Sequence, residues 1–189
     1  STSISRGADR YFPEYDDAAS NRGVATGLDG DRHKRLFGKY SFKDLTLTAF
    51  FGERVKGVPT ASFGQQFNDP RSHTADHYLS ASAAFQRALS TTLDFHASLN
   101  FTRYKYSGDY AYSPDATGLN RDFSHSDVVT ADLRLVSRAV SNHKLVFGVE
   151  SVDAFRRWQG NFYAEPLDWP LDVNHPKPGF ALYIQDEIR

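Results

Sequence analysis

Residues 93–106, LDFHASLNFTRYKY, alternate apolar and polar side chains over most of their length. One side of this extended segment carries Leu93, Phe95, Ala97, Leu99 and Phe101, and the other carries Asp94, His96, Ser98, Asn100 and Thr102. A period of two is typical of a β-strand with one apolar face and one polar face. The run is longer than the roughly 5–6 residues of a usual strand in a soluble domain. A broad apolar face of this kind needs a core or a lipid phase to cover it.

The same alternation recurs along the chain and predicts an all-β fold. It appears in residues 45–54, 78–87 and 128–138, and less strictly in residues 144–155 and 179–189. No window sustains the i, i+3, i+4, i+7 stripe of an amphipathic helix, and the β-branched, aromatic and small residues suit a pleated sheet.

The connections between these segments come in two lengths. Short turns are predicted near residues 42–44, 89–92 and 139–142. Long loops rich in Gly, Pro and Asp are predicted at residues 7–29, 57–73, 108–124 and 160–178. Short and long connections alternate, so one rim of the sheet is expected to be smooth and the other elaborate.

Strand length and loop asymmetry together favour a membrane protein. A strand of about 12 residues tilted by about 45° climbs roughly 28 Å, close to the hydrocarbon thickness of a bilayer. Aromatic residues near the strand ends suggest an interfacial girdle: Tyr40, Phe42, Tyr104, Tyr106, Trp158 and Tyr183. We therefore predict an antiparallel up-and-down transmembrane β-barrel region, about eight strands of a larger barrel, with short periplasmic turns and long extracellular loops. A soluble barrel or sandwich with its apolar face turned inward remains the alternative.

Composition narrows the classes of function. The net charge is -1 and no Lys/Arg run stands out, which gives no reason to expect a nucleic-acid partner. Without cysteine there are no disulfides and no thiolate metal sites. No apolar run approaches the roughly 18 residues of a membrane-spanning helix, and no signal-peptide pattern begins at Ser1. We expect the chain to be a piece of a longer protein.

Two stretches resemble a known family. Residues 5–69, including KGVPTASFG at 56–64, look like the first hairpins of the barrel in TonB-dependent outer-membrane receptors, and YIQDEIR at 183–189 is similar to a strand that recurs in such barrels. The resemblance implies that residues 1–189 belong to a 22-stranded barrel with an N-terminal plug domain and a short box that engages the energy-coupling protein. Neither the plug nor the box is present in the sequence.

Several polar motifs were weighed as sites of chemistry. His125, Ser126 and Asp127, and the pair Asp76 and His77, offer acid, base and hydroxyl groups, as an outer-membrane hydrolase would need. No nucleophile motif accompanies them, so a wet loop or lumen surface is the preferred interpretation. His73 and His77 have metal-ligand spacing only on a helix, and on a strand they lie about 13 Å apart.

Asp29 and Asp31 flank Gly30 as in part of a calcium loop, but the downstream Glu of that loop is missing. A turn before a strand is the preferred role. We therefore expect no catalytic residue, no metal and no cofactor.

The aromatic residues of the long loops are the predicted ligand contacts. They are Tyr11, Phe12, Tyr15, Tyr110, Tyr112, Phe162, Tyr163 and Trp169. Rigid rings with polar tips suit ligand contact, although packing of the loops on themselves explains them equally well.

The predicted function is an outer-membrane receptor-transporter for a scarce nutrient, such as a siderophore or cobalamin, with energy coupled through an inner-membrane TonB complex. Its expected partners are the lipid bilayer of the outer membrane, the nutrient and that complex, the last reached through the missing N-terminal part. A passive porin, a small structural barrel and an outer-membrane hydrolase are the alternatives.

Overall fold

The computed structural model of the protein describes residues 1–61, 63–114, 117–165 and 167–188. Short strands and two single-turn 3-10 segments, Pro13–Tyr15 and Asn21–Gly23, lie in the first thirty residues, and long strands follow. The strands are β1 (Thr2–Ser5), β2 (Arg10–Tyr11), β3 (Val24–Ala25), β4 (Asp31–Phe42), β5 (Leu45–Gly57), β6 (His73–Ala88), β7 (Leu93–Ala111), β8 (Leu119–Ser137), β9 (His143–Tyr163), β10 (Asp168–Asn174) and β11 (Lys177–Ile188). The predicted all-β class is confirmed.

The long strands form one antiparallel up-and-down sheet in the order β1-β4-β5-β6-β7-β8-β9. Two strands share the edge position beside β9: β10 pairs with its C-terminal part and β11 with its N-terminal part. β2 and β3 form a separate two-stranded ribbon. Within the described residues the two edges of the sheet do not pair with each other, so the sheet is open and no closed barrel is present.

Short and long connections alternate, as predicted, except that residues 164–167 are no longer than the turn at residues 89–92. Residues 43–44, 89–92 and 138–142 join strands at one end of the sheet, and residues 6–30, 58–72, 112–118 and 164–167 join them at the other, which we call the long-loop end. The last two of these are shorter than predicted. Residues predicted as loops at 108–124 and 160–178 belong largely to β7, β8, β9, β10 and β11.

Aromatic packing explains why glycine-rich segments continue as strands. Gly160 lies opposite Phe123 in the β8–β9 ladder, and a Cβ at position 160 would overlap the Phe123 ring. Gly108 leaves room for Tyr106 and Tyr110, whose hydroxyls are 2.7 Å apart in a hydrogen bond. A ring that covers a glycine supplies the packing that the glycine lacks, so the propensity penalty was overridden by tertiary contacts.

One face of the sheet is a continuous exposed apolar surface, which we call the apolar band. The register aligns Tyr40, Leu47, Ala83, Leu99 and Ala131 across five strands on this face. Leu99 is 53% exposed. The larger exposed side chains of the band are Leu36, Tyr40, Phe42, Leu45, Leu47, Phe51, Leu79, Leu99, Leu133, Leu135, Phe147, Phe180, Leu182 and Ile184.

The opposite face, here the polar face, carries Thr48, Ser82, Asn100 and Thr130 in the neighbouring register positions. Asn100 Nδ2 donates to Thr130 Oγ1 at 3.2 Å. The buried hydrophobic residues of the described chain are few and mostly small, namely Ala25, Ala61, Tyr110, Ala111, Val136 and Ala154. Among the described residues the sheet is thus a single layer, and no second layer lies over its apolar band.

No helix in the described part of the chain is both long and apolar enough to cross a membrane.

Candidate functional site at the long-loop end

Two long loops pack on each other through aromatic rings. Tyr15 stacks on Phe67 with ring centroids 4.4 Å apart, and Phe12 meets the same ring edge-on at 5.8 Å. The Tyr15 hydroxyl donates to the Ala61 carbonyl at 3.4 Å. Two of the predicted ligand contacts, Phe12 and Tyr15, therefore use their rings to join residues 6–30 to residues 58–72. Phe67, which the sequence analysis did not single out, is the ring between them.

Hydrogen bonds from backbone amides fix residues 58–72 to the end of β7 and to residues 6–30. The Gln66 amide donates to the Ala111 carbonyl at 2.6 Å, and the Ala111 amide donates to Ser72 Oγ at 3.2 Å. The Thr26 amide donates to Asn68 Oδ1 at 3.0 Å. Residues 6–30 and 58–72 are thus tied to each other, and residues 58–72 to the end of β7.

Charged contacts hold the loops in place. Asp29 accepts from Arg10 at 2.8 Å and from Lys56, and these cations, Lys56 first, lower the pKa of its carboxyl. Arg71 binds Asp69 at 2.6 Å and lowers the pKa of that carboxyl in the same way. The Tyr11 hydroxyl donates to Asp16 at 2.9 Å, which raises the pKa of the phenol.

Asp29 and Asp31, the carboxylates of the calcium-loop fragment, each have a basic partner in the structure. Asp31 is bound by Arg54 at 2.6 Å, and Asp29 by the two cations above. A carboxylate held by an arginine or lysine has already satisfied its charge, so this arrangement favours a structural role at the start of β4.

A row of tyrosines runs along the polar face of β7. The Tyr110 hydroxyl is hydrogen-bonded to that of Tyr106, and its ring meets Phe63 edge-on with centroids 6.2 Å apart. The Tyr104 hydroxyl donates to Asp76 Oδ1 at 2.6 Å. Tyr104 and Tyr106 share the face of Asn100, so their assignment to an interfacial girdle was wrong. Tyr183 also lies on the polar face, where it donates to Asp132 Oδ2 at 2.7 Å.

The remaining predicted contacts lie in two groups on opposite faces. Phe162 stacks on Trp169 with centroids 4.5 Å apart, on the same face as the apolar band and above it. Tyr163 lies on the polar face and meets Tyr112 at 6.3 Å. Tyr110, Phe162, Tyr163 and Trp169 lie in β7, β9 and β10, and Tyr11 in β2, not in irregular loop. The structure therefore does not gather the eight aromatic residues into one site.

A polar pocket of about 320 Å³ opens beside the tyrosine row. Its lining consists of Ser124, His125, Ser126, Arg157, Gln159, Val173 and His175. It lies where the last sheet position is interrupted between β10 and β11, and where the β8–β9 register shifts between Asp127 and Val129. Irregularities of this kind re-aim side chains and are common beside binding sites. Tyr104 and Tyr106 pair with Ser126 and Ser124, so tyrosines and pocket form one surface, the tyrosine ledge.

Sequence reasoning missed Arg157 and Gln159 of this ledge. They lie in β9, within the segment that was divided between a strand ending at residue 155 and a loop beginning at residue 160. Their alternation with Trp158 was the available signal, because it places both on one face.

The catalytic interpretation of residues 125–127 does not assemble. His125 Nε2 lies 3.3 Å from Asp127 Oδ1, but Ser126 points to the opposite face, as alternation on a strand requires. Asp127 is fully buried and is bound by Arg103 at 2.6 Å and by Arg156 at 3.3 Å. Asp76 and His77 also face opposite sides of β6.

No group of three His, Asp or Glu side chains in the described residues is placed to hold a metal ion. His73 and His77 both lie in β6, and His73 Nδ1 is bonded to the Arg71 carbonyl at 2.9 Å.

No protein-family model, no curated protein and no solved structure matches this chain. The interpretation of the site therefore depends on its own geometry.

Proposed function

We propose that this chain forms part of the wall of an outer-membrane β-barrel receptor-transporter that captures a scarce nutrient at its long-loop end. In this proposal the sheet closes with further strands, the apolar band faces lipid, and the polar face lines the interior. Uptake is energised through an inner-membrane TonB complex, as the sequence resemblance implies.

The exposed apolar band is the observation that carries the proposal. Contiguous apolar patches on soluble monomers rarely exceed a few hundred Å², whereas this band crosses every long strand. From Leu93 to Arg103, β7 rises about 33 Å, and at a tilt of about 40° this climbs about 25 Å, the height of the apolar belt on outer-membrane barrels. Above Arg103 the same face becomes polar, with Lys105 aligned between His77 and His125.

The tyrosine ledge and the tied loops favour a receptor over a passive channel. Aromatic side chains and an arginine beside hydroxyl and amide groups are suited to holding a ligand by contact and hydrogen bonding. Ring stacking and hydrogen bonds between residues 6–30 and 58–72 hold these loops in one arrangement, as a binding surface requires.

The experiment is to refold the full protein that contains this chain, because the sheet needs further strands to close, and to measure its detergent requirement, its gel mobility and its conductance. We expect it to need detergent, to migrate differently on a gel before and after boiling, and to show no steady conductance in planar bilayers. A detergent-free soluble monomer would overturn the membrane assignment. A steady open conductance would leave that assignment standing but would replace the receptor by a porin.

A further inference from the structure

We propose that the apolar band contains a specific site for an anionic amphiphile, with one acyl chain in a groove over β5, β6 and β7 and a phosphate head group on Arg103 and Lys105. This inference rests on the proposed membrane function, because it requires the apolar band to face lipid.

The groove results from three small residues in a row. Ala49, Ala81 and Ala83 share the face of the apolar band, and larger side chains flank them, among them Leu47 and Phe101. The groove has a volume of about 650 Å³. Because its floor is made of methyl groups between tall side chains, it fits a single extended hydrocarbon chain better than a flat surface would.

A second, amphipathic pocket continues the groove upward. It has a volume of about 300 Å³ and is lined by Phe51, His77, Tyr78, Leu79, Arg103 and Lys105. Phe51, Leu79 and Arg103 each lie two residues further along the strand, on the same face, from Ala49, Ala81 and Phe101 of the groove. The two cavities therefore form one path that is apolar below and basic above.

Arg103 marks the boundary between the two parts. Its guanidinium carbon lies 5.6 Å from the centroid of the Phe101 ring, and its Nε donates to buried Asp127 at 2.6 Å. Asp127 also forms an ion pair with Arg156 at 3.3 Å. Two arginines share one carboxylate, which fixes their position and leaves the group with excess positive charge.

Lys105 adds an uncompensated cation directly above. No acidic side chain of the described residues lies within ion-pair distance of it, and its neighbours across the sheet are His77 and His125. The acidic side chain closest in register is Asp127 on the neighbouring strand, which already binds Arg103 and Arg156. On the other side, Glu53 lies two strands away beside His77. Arg103 and Lys105 thus complement an anion at the level where lipid head groups lie.

Native mass spectrometry of the protein in detergent tests the site, with dioleoyl phosphatidic acid and dioleoyl phosphatidylcholine as probes. We expect one phosphatidic acid to bind in preference to phosphatidylcholine. Lys105→Gln should weaken that preference by about fivefold at low salt, since one cation near the head group is lost. This variant leaves the Arg103–Asp127 pair intact, so a loss of folding is not expected. Ala83→Leu should weaken the binding of both lipids, because the larger side chain fills the groove.

Matched controls use the polar face. Arg35→Gln removes one positive charge and Ala84→Leu adds the same bulk, each on the side away from the groove. Both variants should bind phosphatidic acid with the same preference as the unsubstituted protein. Excess inorganic phosphate should not displace the lipid, because the acyl chain contributes to binding.

The outcomes separate the inference from the proposed function. A protein that inserts into detergent and bilayers but binds both lipids equally, or in which Lys105→Gln and Ala83→Leu act like their controls, overturns the lipid site alone. Displacement by inorganic phosphate would reassign the pocket to a soluble oxyanion. A protein that does not enter detergent micelles at all overturns the membrane function, and the lipid site with it.

Discussion

At the scale of single residues, glycines covered by rings are decisive for the upper part of the sheet. Gly160 is buried, and Phe123 from β8 lies where its Cβ would be. Gly38 in β4 has nothing within 4 Å of the same position. These two glycines occupy strands of one sheet but differ in what a methyl group would meet.

We predict that Gly160→Ala destabilises the protein by about 1–3 kcal/mol, because the Phe123 ring must move or the strands must separate. Gly38→Ala should be neutral, or stabilising by about 0.5–1 kcal/mol, since alanine loses less backbone entropy than glycine on folding. The measurement is the free energy of unfolding in urea for both variants in the same detergent. Equal effects at the two positions would show that Phe123 does not occupy this place over Gly160.

At the scale of elements, the Asp69 carboxylate holds the loop of residues 58–72 in its observed conformation. Asp69 is bound by Arg71, and the Ser72 amide donates to the Asp69 carbonyl at 3.2 Å. The pKa of the Asp69 carboxyl is lowered in the folded protein. Its stabilising contribution is therefore complete above the ordinary aspartate pKa of about 3.9, and it is lost as the pH falls through the lowered folded value.

Hydrogen exchange at the Ser72 and Ala111 amides measures this pH-dependent contribution of Asp69. Protection should be constant from pH 7 to about pH 5 and should fall below about pH 4. Asp69→Asn should lower the protection already at pH 6, whereas Asp17→Asn, in the other long loop, should not. Equal protection in Asp69→Asn and the unsubstituted protein at pH 6 would contradict this role of Asp69.

The elements also show what the sequence could reveal. Alternation located β5, β6, β7, β8, β9 and β11 and the short turns, because a period of two is a local property, but it did not single out β4. It underestimated β7, β8 and β9, because Gly108 and Gly160 resembled loop residues and only the cross-strand rings explain them. Arg103, Asp127 and Arg156 come together from three strands, and the eight aromatic residues divide between the loops and the two faces of the sheet. Both depend on register, which a single sequence does not specify.

At the scale of the whole molecule, a single layer with one apolar and one polar face raises the question of what covers each face. The described chain offers little core, and its sheet has two unpaired edges. Edges of this kind invite pairing with other strands, which is the reason for placing this sheet within a larger closed barrel.

The most direct test of this account compares two adjacent positions in the protein refolded into vesicles. A spin label at position 99 replaces a side chain in the middle of the apolar band, and one at position 100 replaces a side chain on the polar face. We predict that oxygen dissolved in the bilayer relaxes the label at position 99, and that a water-soluble paramagnetic reagent relaxes the label at position 100. Shielding of position 99 from both reagents, or the reverse pattern, would contradict the claim that the apolar band faces lipid.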